Sequence, residues 1–170
     1  MCRTLCAFGA RNKEWRPRGL ASPLWREWLL SSGEDVVCVT EGLIDAMALE
    51  WLVGAPTVAL GGVGCATRLT AVLAAVLAPM RPRRVVVAMD EDEAGRAARE
   101  RILRDLRGLG VPCSAMEPYP GGAKDADEWL MGSRGRAWDF DELAPAAGGR
   151  SAVVMAGWSD GRCSRLRDRS

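Results

Sequence analysis

Carboxylates crowd three short stretches of this chain. Glu41 stands in Thr40-Glu41-Gly42 with Asp45 one helical turn beyond, Asp90 and Asp92 flank Glu91, and Asp125 and Asp127 fall in Lys124-Asp125-Ala126-Asp127-Glu128. Like charges brought to one point repel and raise each other's pKa unless something positive sits among them. A hard divalent cation that takes oxygen ligands, Mg²⁺ or Mn²⁺, is the economical partner for such a set. In extended chain Asp90 and Asp92 point to one side and Glu91 to the other, so the pair can face a shared cation. The competing reading is that acids enrich helix N-termini, where they accept from orphan N–H groups and meet the positive end of the helix dipole. Any single acid here fits a cap better than a ligand. Three clusters at three strand ends favour the metal. On that reading, Asp92→Asn should relieve repulsion and stabilise the metal-free protein while removing its response to metal.

The elements needed to bring these acids together can be read from the apolar pattern. Asp35–Thr40, Thr57–Leu60, Arg84–Met89 and Val111–Glu117 are short apolar runs rich in β-branched residues, as buried strands require. Leu43–Leu52, Thr67–Leu77, Glu93–Leu109 and Asp125–Met131 read as the helices between and after them, with Gly54, Pro56 and Pro79 as stops. Pro23–Leu30 reads as one more short helix with proline in its first turn. Strands and helices that alternate in this way predict an α/β fold: an open sheet of about four mainly parallel strands with helices on both faces. In such sheets function gathers outside the carboxyl ends of the strands, and all three acidic clusters lie there.

Composition narrows the chemistry. The chain has 170 residues and no histidine, which removes Ser-His-Asp and Cys-His schemes and every histidine-containing metal site. Six cysteines are scattered with no C-x-x-C pair, so zinc is not expected, and Cys38 within a strand pattern reads as a reduced core thiol. Net charge is +1 from 23 basic and 22 acidic residues, which argues neither for nor against nucleic acid. Arginines nonetheless cluster in 11–26, 81–84, 96–107 and 162–169, where they could leave local positive surface. No apolar run suits a signal peptide or a membrane span, so no membrane partner and a cytoplasmic location are expected.

The segments T-E-G-L-I-D-A-M-A-L and V-V-V-A-M-D-E-D-E-A-G-R-A-A resemble the Toprim domain, the fold shared by bacterial-type primases, type IA and II topoisomerases, OLD-family nucleases and small RNases. K-D-A-D-E-W-L at Lys124–Leu130 gives the resemblance its flavour, which is that of bacterial and phage or plasmid DNA primases. The resemblance implies a Mg²⁺- or Mn²⁺-dependent nucleotidyltransferase that makes RNA primers in DNA replication. It also implies roles for residues. Glu41 would be the general acid/base or a metal ligand, Asp90 and Asp92 the principal metal ligands, and Asp45, Asp125 and Asp127 the completion of the site. Lys124 would lie near phosphate. Two-metal phosphoryl transfer needs such paired carboxylates, with cations roughly 3.5–4 Å apart, to activate one oxygen and neutralise another. The implied partners are single-stranded DNA and nucleoside triphosphates, with a replicative helicase or a separate primase subdomain. Two alternatives stay open: a stand-alone Toprim nuclease of the small-RNase or OLD kind, and a non-catalytic module that binds nucleic acid or helicase.

The resemblance spans 35–131. Residues 1–34 are expected to be a basic extension, a remnant of an upstream primase region, and 132–170 a partly disordered C-terminal extension. Arg96, with Arg99 beside it, reads either as a grip on nucleic acid or as solvated helix face. Arg68, near Gly61-Gly62-Val63-Gly64, reads either as part of a phosphate-binding loop or as the neighbour of a tight turn. Gly42 and Gly95 admit two readings: close approach of phosphate, or relief of crowding at strand–helix turns. Trp51 and Trp129 are expected in the core.

Overall fold

The computed structural model describes residues 2–3, 14–15 and 23–133. The expectations for 132–170, apart from 132–133, and for the basic stretch before residue 23 therefore lie outside the described residues. β1 (Cys2–Arg3) and β2 (Glu14–Trp15) form a small antiparallel pair. The main sheet contains β3 (Val36–Thr40), β4 (Thr57–Ala59), β5 (Arg84–Val87) and β6 (Cys113–Ala115), in the order β4-β3-β5-β6 and parallel throughout. Between and after them run α1 (Leu43–Val53), α2 (Ala66–Ala75), α3 (Glu93–Gly108) and α4 (Ala126–Ser133). The α/β expectation holds, strand for strand.

Strand alternation builds two cores. Val37, Val39, Val85, Val87 and Met89 point to one face and pack with Leu69 and Leu73 of α2 and Ile102 and Leu106 of α3. Cys38, Val86 and Ala88 point to the other and pack with Leu49 and Leu52 of α1 and Trp129 of α4. Side chains with a period of two explain how one apolar run serves both layers. Burial pushes the Cys38 thiol up to about 12, so it is an inert packing group.

Three expectations are corrected. Trp25 does not belong to a helix: its N–H and carbonyl exchange hydrogen bonds with Ala59, and the 3₁₀ turn covers only Glu27–Ser31. β4 is an edge strand with open backbone groups, and pairing with Trp25 satisfies two of them. Arg26 makes the corner with φ of 57°, its guanidinium lying over the Trp25 and Trp28 rings and paired with Glu50. β6 is shorter than Val111–Glu117: its register pairs Cys113–Ala115 with Val85–Val87, and Pro112 and Met116 add one hydrogen bond each to β5 at the two ends. Trp129 is buried, but Trp51 is 57% exposed, because α1 presents that side to solvent.

Candidate metal and phosphate site

The order of strands decides the site. β3 and β5 are neighbours, with Val39 opposite Val87 and the Ala88 N–H donating to the Val39 carbonyl, so Glu41 and Asp90 leave the sheet side by side. Local contacts hold each exit. The buried Thr40 hydroxyl donates to the Gly42 carbonyl, fixing the turn into α1. Gly61 and Gly62 N–H groups both donate to the Glu41 carbonyl, at 2.8 and 3.1 Å. Those two donors, candidates for phosphate in the sequence, are thus used to pin the residue that carries Glu41.

Gly95 answers its own question. A Cβ there would lie 2.2 Å from the Asp90 carbonyl oxygen, so the first turn of α3 can rest on the strand end only without a side chain. A Cβ at Gly42 would meet the movable carboxylate of Asp45 instead, at 2.4 Å. Relief of crowding is the reading that Gly95 supports, while Gly42 is hemmed only by a side chain that can move.

The alternation expected for Asp90-Glu91-Asp92 is present. Asp90 and Asp92 both face the Lys124 ammonium, with Oδ2 atoms 3.6 and 3.7 Å from Nζ, while Glu91 pairs with Arg99 at 2.8 Å. α4 brings its own acids to the same edge, since the Asp127 N–H reaches Asp45 Oδ1 at 3.4 Å. Capping and clustering coexist. Asp92 Oδ1 accepts from the Gly95 N–H at 2.8 Å while its Oδ2 faces Lys124, and Asp125 accepts from the Glu128 N–H at 2.8 Å.

The acids bear on one another electrostatically. Burial, then the charges of Asp90, Asp92 and Asp45, raise the Glu41 carboxyl above its ordinary range. Asp90 is raised by burial and then by Asp45, against the pull of Lys124. Asp45 is raised by burial and by Asp125, with the Asp127 N–H opposing. Asp92 departs in the other direction: the Gly95 N–H and Lys124 hold it below the usual carboxylate range. Relief of repulsion is therefore expected at Asp45 or Asp90 more than at Asp92, whose charge the Gly95 N–H and Lys124 already favour.

Glu41, Asp45, Asp90, Asp92, Asp125, Asp127 and Lys124 thus meet at one edge. Arg96 lies beside it, on the first turn of α3, with its guanidinium on the Glu91 carbonyl. Arg68 belongs elsewhere. It sits on α2, in the opposite layer from α1 and α4, and makes a forked pair with Glu27 at 2.9 Å through both bonds. Two supporting residues escaped the sequence reading. Glu128 accepts from the Lys124 backbone N–H at 2.7 Å, and the D-x-x-E spacing of a capping box signals it. Tyr119, buried and bonded to the Ala88 carbonyl at 3.2 Å, packs under the acids and carries no sequence signal.

The donor set suits Mg²⁺ or Mn²⁺: every donor is a carboxylate oxygen, and at Glu41, Asp45 and Asp90 burial and the neighbouring acids raise the carboxyls above their ordinary range. Among the described residues no three acidic or cysteine side chains already surround one point as a finished cage. Lys124 stands between two of the candidates. Among the same residues no helix is long and apolar enough to cross a membrane.

A family model described as Toprim-like matches residues 38–130, more than half of the chain. The primase fragment of the bacteriophage T7 primase-helicase protein is similar in structure, with 28% identity and a TM-score of 0.52, over 65% of this chain and 43% of that one. The match spans less than half of that fragment. Primase domains bound to an RNA/DNA hybrid and dTTP, in a complex with the bacteriophage T7 lagging-strand DNA polymerase, align at 26% identity and a TM-score of 0.49, over 61% of this chain and 51% of that one. No curated protein matches significantly. At the coarse level these findings connect the chain to primase-related nucleic-acid metabolism.

Proposed function

The chain belongs to the Toprim-like family, and from that premise we propose that its acidic edge binds Mg²⁺ or Mn²⁺ and serves phosphoryl transfer on nucleic acid, specifically RNA primer synthesis. The observation that carries this reading is the gathering of carboxylates from three strand exits at one edge, with Asp90 and Asp92 facing Lys124 and Asp45 bonded to the Asp127 N–H. Asp90 and Asp92 would hold the metal, with Asp45, Asp125 and Asp127 completing the acidic surround. When bound, the cation would neutralise charge that develops on phosphate oxygens.

The chain's own groups have distinct tasks. Glu41, with its raised carboxyl, can hold or release a proton closer to neutral pH than an ordinary glutamate, as a general acid/base requires. The Glu41 carbonyl, pinned by Gly61 and Gly62, keeps that side chain in position. Lys124 supplies a mobile positive charge for phosphate, and Arg96 a second one at the rim. Single-stranded DNA and nucleoside triphosphates are the proposed substrates. A replicative helicase or a separate primase subdomain is the proposed partner, since net charge +1 leaves little overall attraction for a template.

Incubation of the chain with labelled single-stranded DNA, ribonucleotides and Mg²⁺, with and without an added primase subdomain, tests the reading. Short RNA products support it, with more expected when the subdomain is present. Cleavage products would make the chain a Toprim nuclease, and binding without products a non-catalytic module.

A further inference from the structure

Resting on the metal reading above, we propose that Lys124 is a tethered competitor for the divalent cation, occupying the space between Asp90 and Asp92 until metal enters and evicts it. The geometry is that of a placeholder. Nζ is 3.6 Å from Asp90 Oδ2 and 3.7 Å from Asp92 Oδ2, so it lies between the two carboxylates and is locked to neither. A tight charge-assisted bond would be nearer 2.7–2.9 Å.

The backbone of Lys124, by contrast, is clamped. Its carbonyl accepts from the Glu91 N–H at 2.8 Å, and its N–H donates to Glu128 at 2.7 Å. The loop therefore stays in place, and only the side chain can yield. That side chain is 54% exposed on a flexible stem, with solvent to turn into. A divalent cation held by Asp90 and Asp92 would compete with the ammonium for the same two oxygens, and the repulsion between them would favour departure of the lysine, which has solvent to turn into.

The neighbouring arginines cannot take this part. Arg99 is committed to the Glu91 side chain, which points away from the pair, and Arg96 to the Glu91 carbonyl. The sequence Lys124-Asp125 thus places a removable charge and an acid of the same cluster on one short clamped segment. In the metal-free chain Lys124 holds Asp90 and Asp92 together against repulsion. Metal affinity is correspondingly lower than the carboxylates alone would give.

Thermal melting of the full chain, titrated with MgCl₂ and separately with MnCl₂ at constant ionic strength, tests this. Wild type is compared with Lys124→Met, Lys124→Arg and Arg96→Met. Without metal Lys124→Met should melt below wild type, and its half-maximal metal response should come at about 5- to 10-fold lower concentration, because the competitor is gone. Lys124→Arg and Arg96→Met should stay within about twofold of wild type. An unchanged or higher midpoint in Lys124→Met overturns the proposal and leaves the metal reading standing. An equal fall in Arg96→Met overturns it too, since any lost positive charge would then do. No metal response in any of the four proteins overturns the metal reading and this inference together.

Discussion

Charge is handled in two opposite ways in this molecule. Around the 3₁₀ turn and α2, each carboxylate has its own arginine: Glu27 pairs with Arg68, and Glu50 with Arg26. At the carboxyl edge of the sheet, acids from three strand exits gather, and Asp90 and Asp92 share one lysine. The first joins the 3₁₀ turn to two helices, and the second is built from helix starts and strand ends. The first closes its own electrostatic account, and its pairs tie the Glu27–Ser31 turn to α1 and α2. The second leaves like charges only partly relieved by Lys124, an arrangement that opposes folding and persists only where the surrounding structure holds it. The unbalanced charge is what the proposed metal site rests on, while the balanced pairs act as a joint.

The comparison breaks first at Asp90. Asp90→Asn should lower any primer synthesis by on the order of 10³-fold, a loss of about 4 kcal/mol of transition-state stabilisation, and should remove the metal-induced rise in melting temperature. Full activity in that variant would reduce the acidic edge to a set of caps. Glu41→Gln separates two roles at the same edge: activity should fall by roughly 10²-fold or more while the metal response in thermal melting stays largely intact. Loss of both together would make Glu41 a ligand.

Gly95→Ala tests the rigidity that keeps the charges together. The added methyl must displace the backbone of Asp90, at an expense of about 3 kcal/mol in urea denaturation, with a weakened metal response. A change under about 1 kcal/mol would show that α3 does not rest on the strand end as described.

Dependence on pH should carry the sign of the repulsion. Glu41, Asp45 and Asp90 have raised carboxyls in the folded chain, so over the range above roughly pH 4 the folded state binds more protons than the unfolded one. Their contribution is present below the unfolded values and is lost as pH rises through the folded ones. Asp92, held low, contributes in the opposite sense, and only at more acid pH. Stability of the metal-free protein should therefore fall as pH climbs out of the acid range, and saturating Mg²⁺ should flatten that fall. Asp45→Asn, which keeps an acceptor for the Asp127 N–H, should reduce the same slope and raise the metal-free melting temperature. A slope unchanged by Asp45→Asn would locate the pH dependence elsewhere.

The smallest effect belongs to the balanced region. Arg68→Ala should destabilise by about 0.5–1 kcal/mol, as partly exposed ion pairs do, and leave the metal response untouched. A change in metal midpoint would return Arg68 to the phosphate site proposed for it from sequence.

What the sequence alone determined is whatever depends on neighbours along the chain. Short, β-branched apolar runs such as Val85–Val87 and Val36–Val39 favour buried strands, and the helices between them favour parallel pairing, so the sheet and its acidic exits were readable. The D-x-D alternation was readable for the same reason, since side-chain direction in extended chain follows a period of two. Only the tertiary structure decided which layer each helix joins. That choice sends Asp45 of α1 and Asp127 of α4 to the acids, and Arg68 of α2 to Glu27. The Trp25–Ala59 pairing, the exposure of Trp51 and the place of Tyr119 beneath the acids followed from it as well. Each of these rests on contacts between residues far apart in the chain, and local propensity and spacing carry no record of which distant surface will arrive.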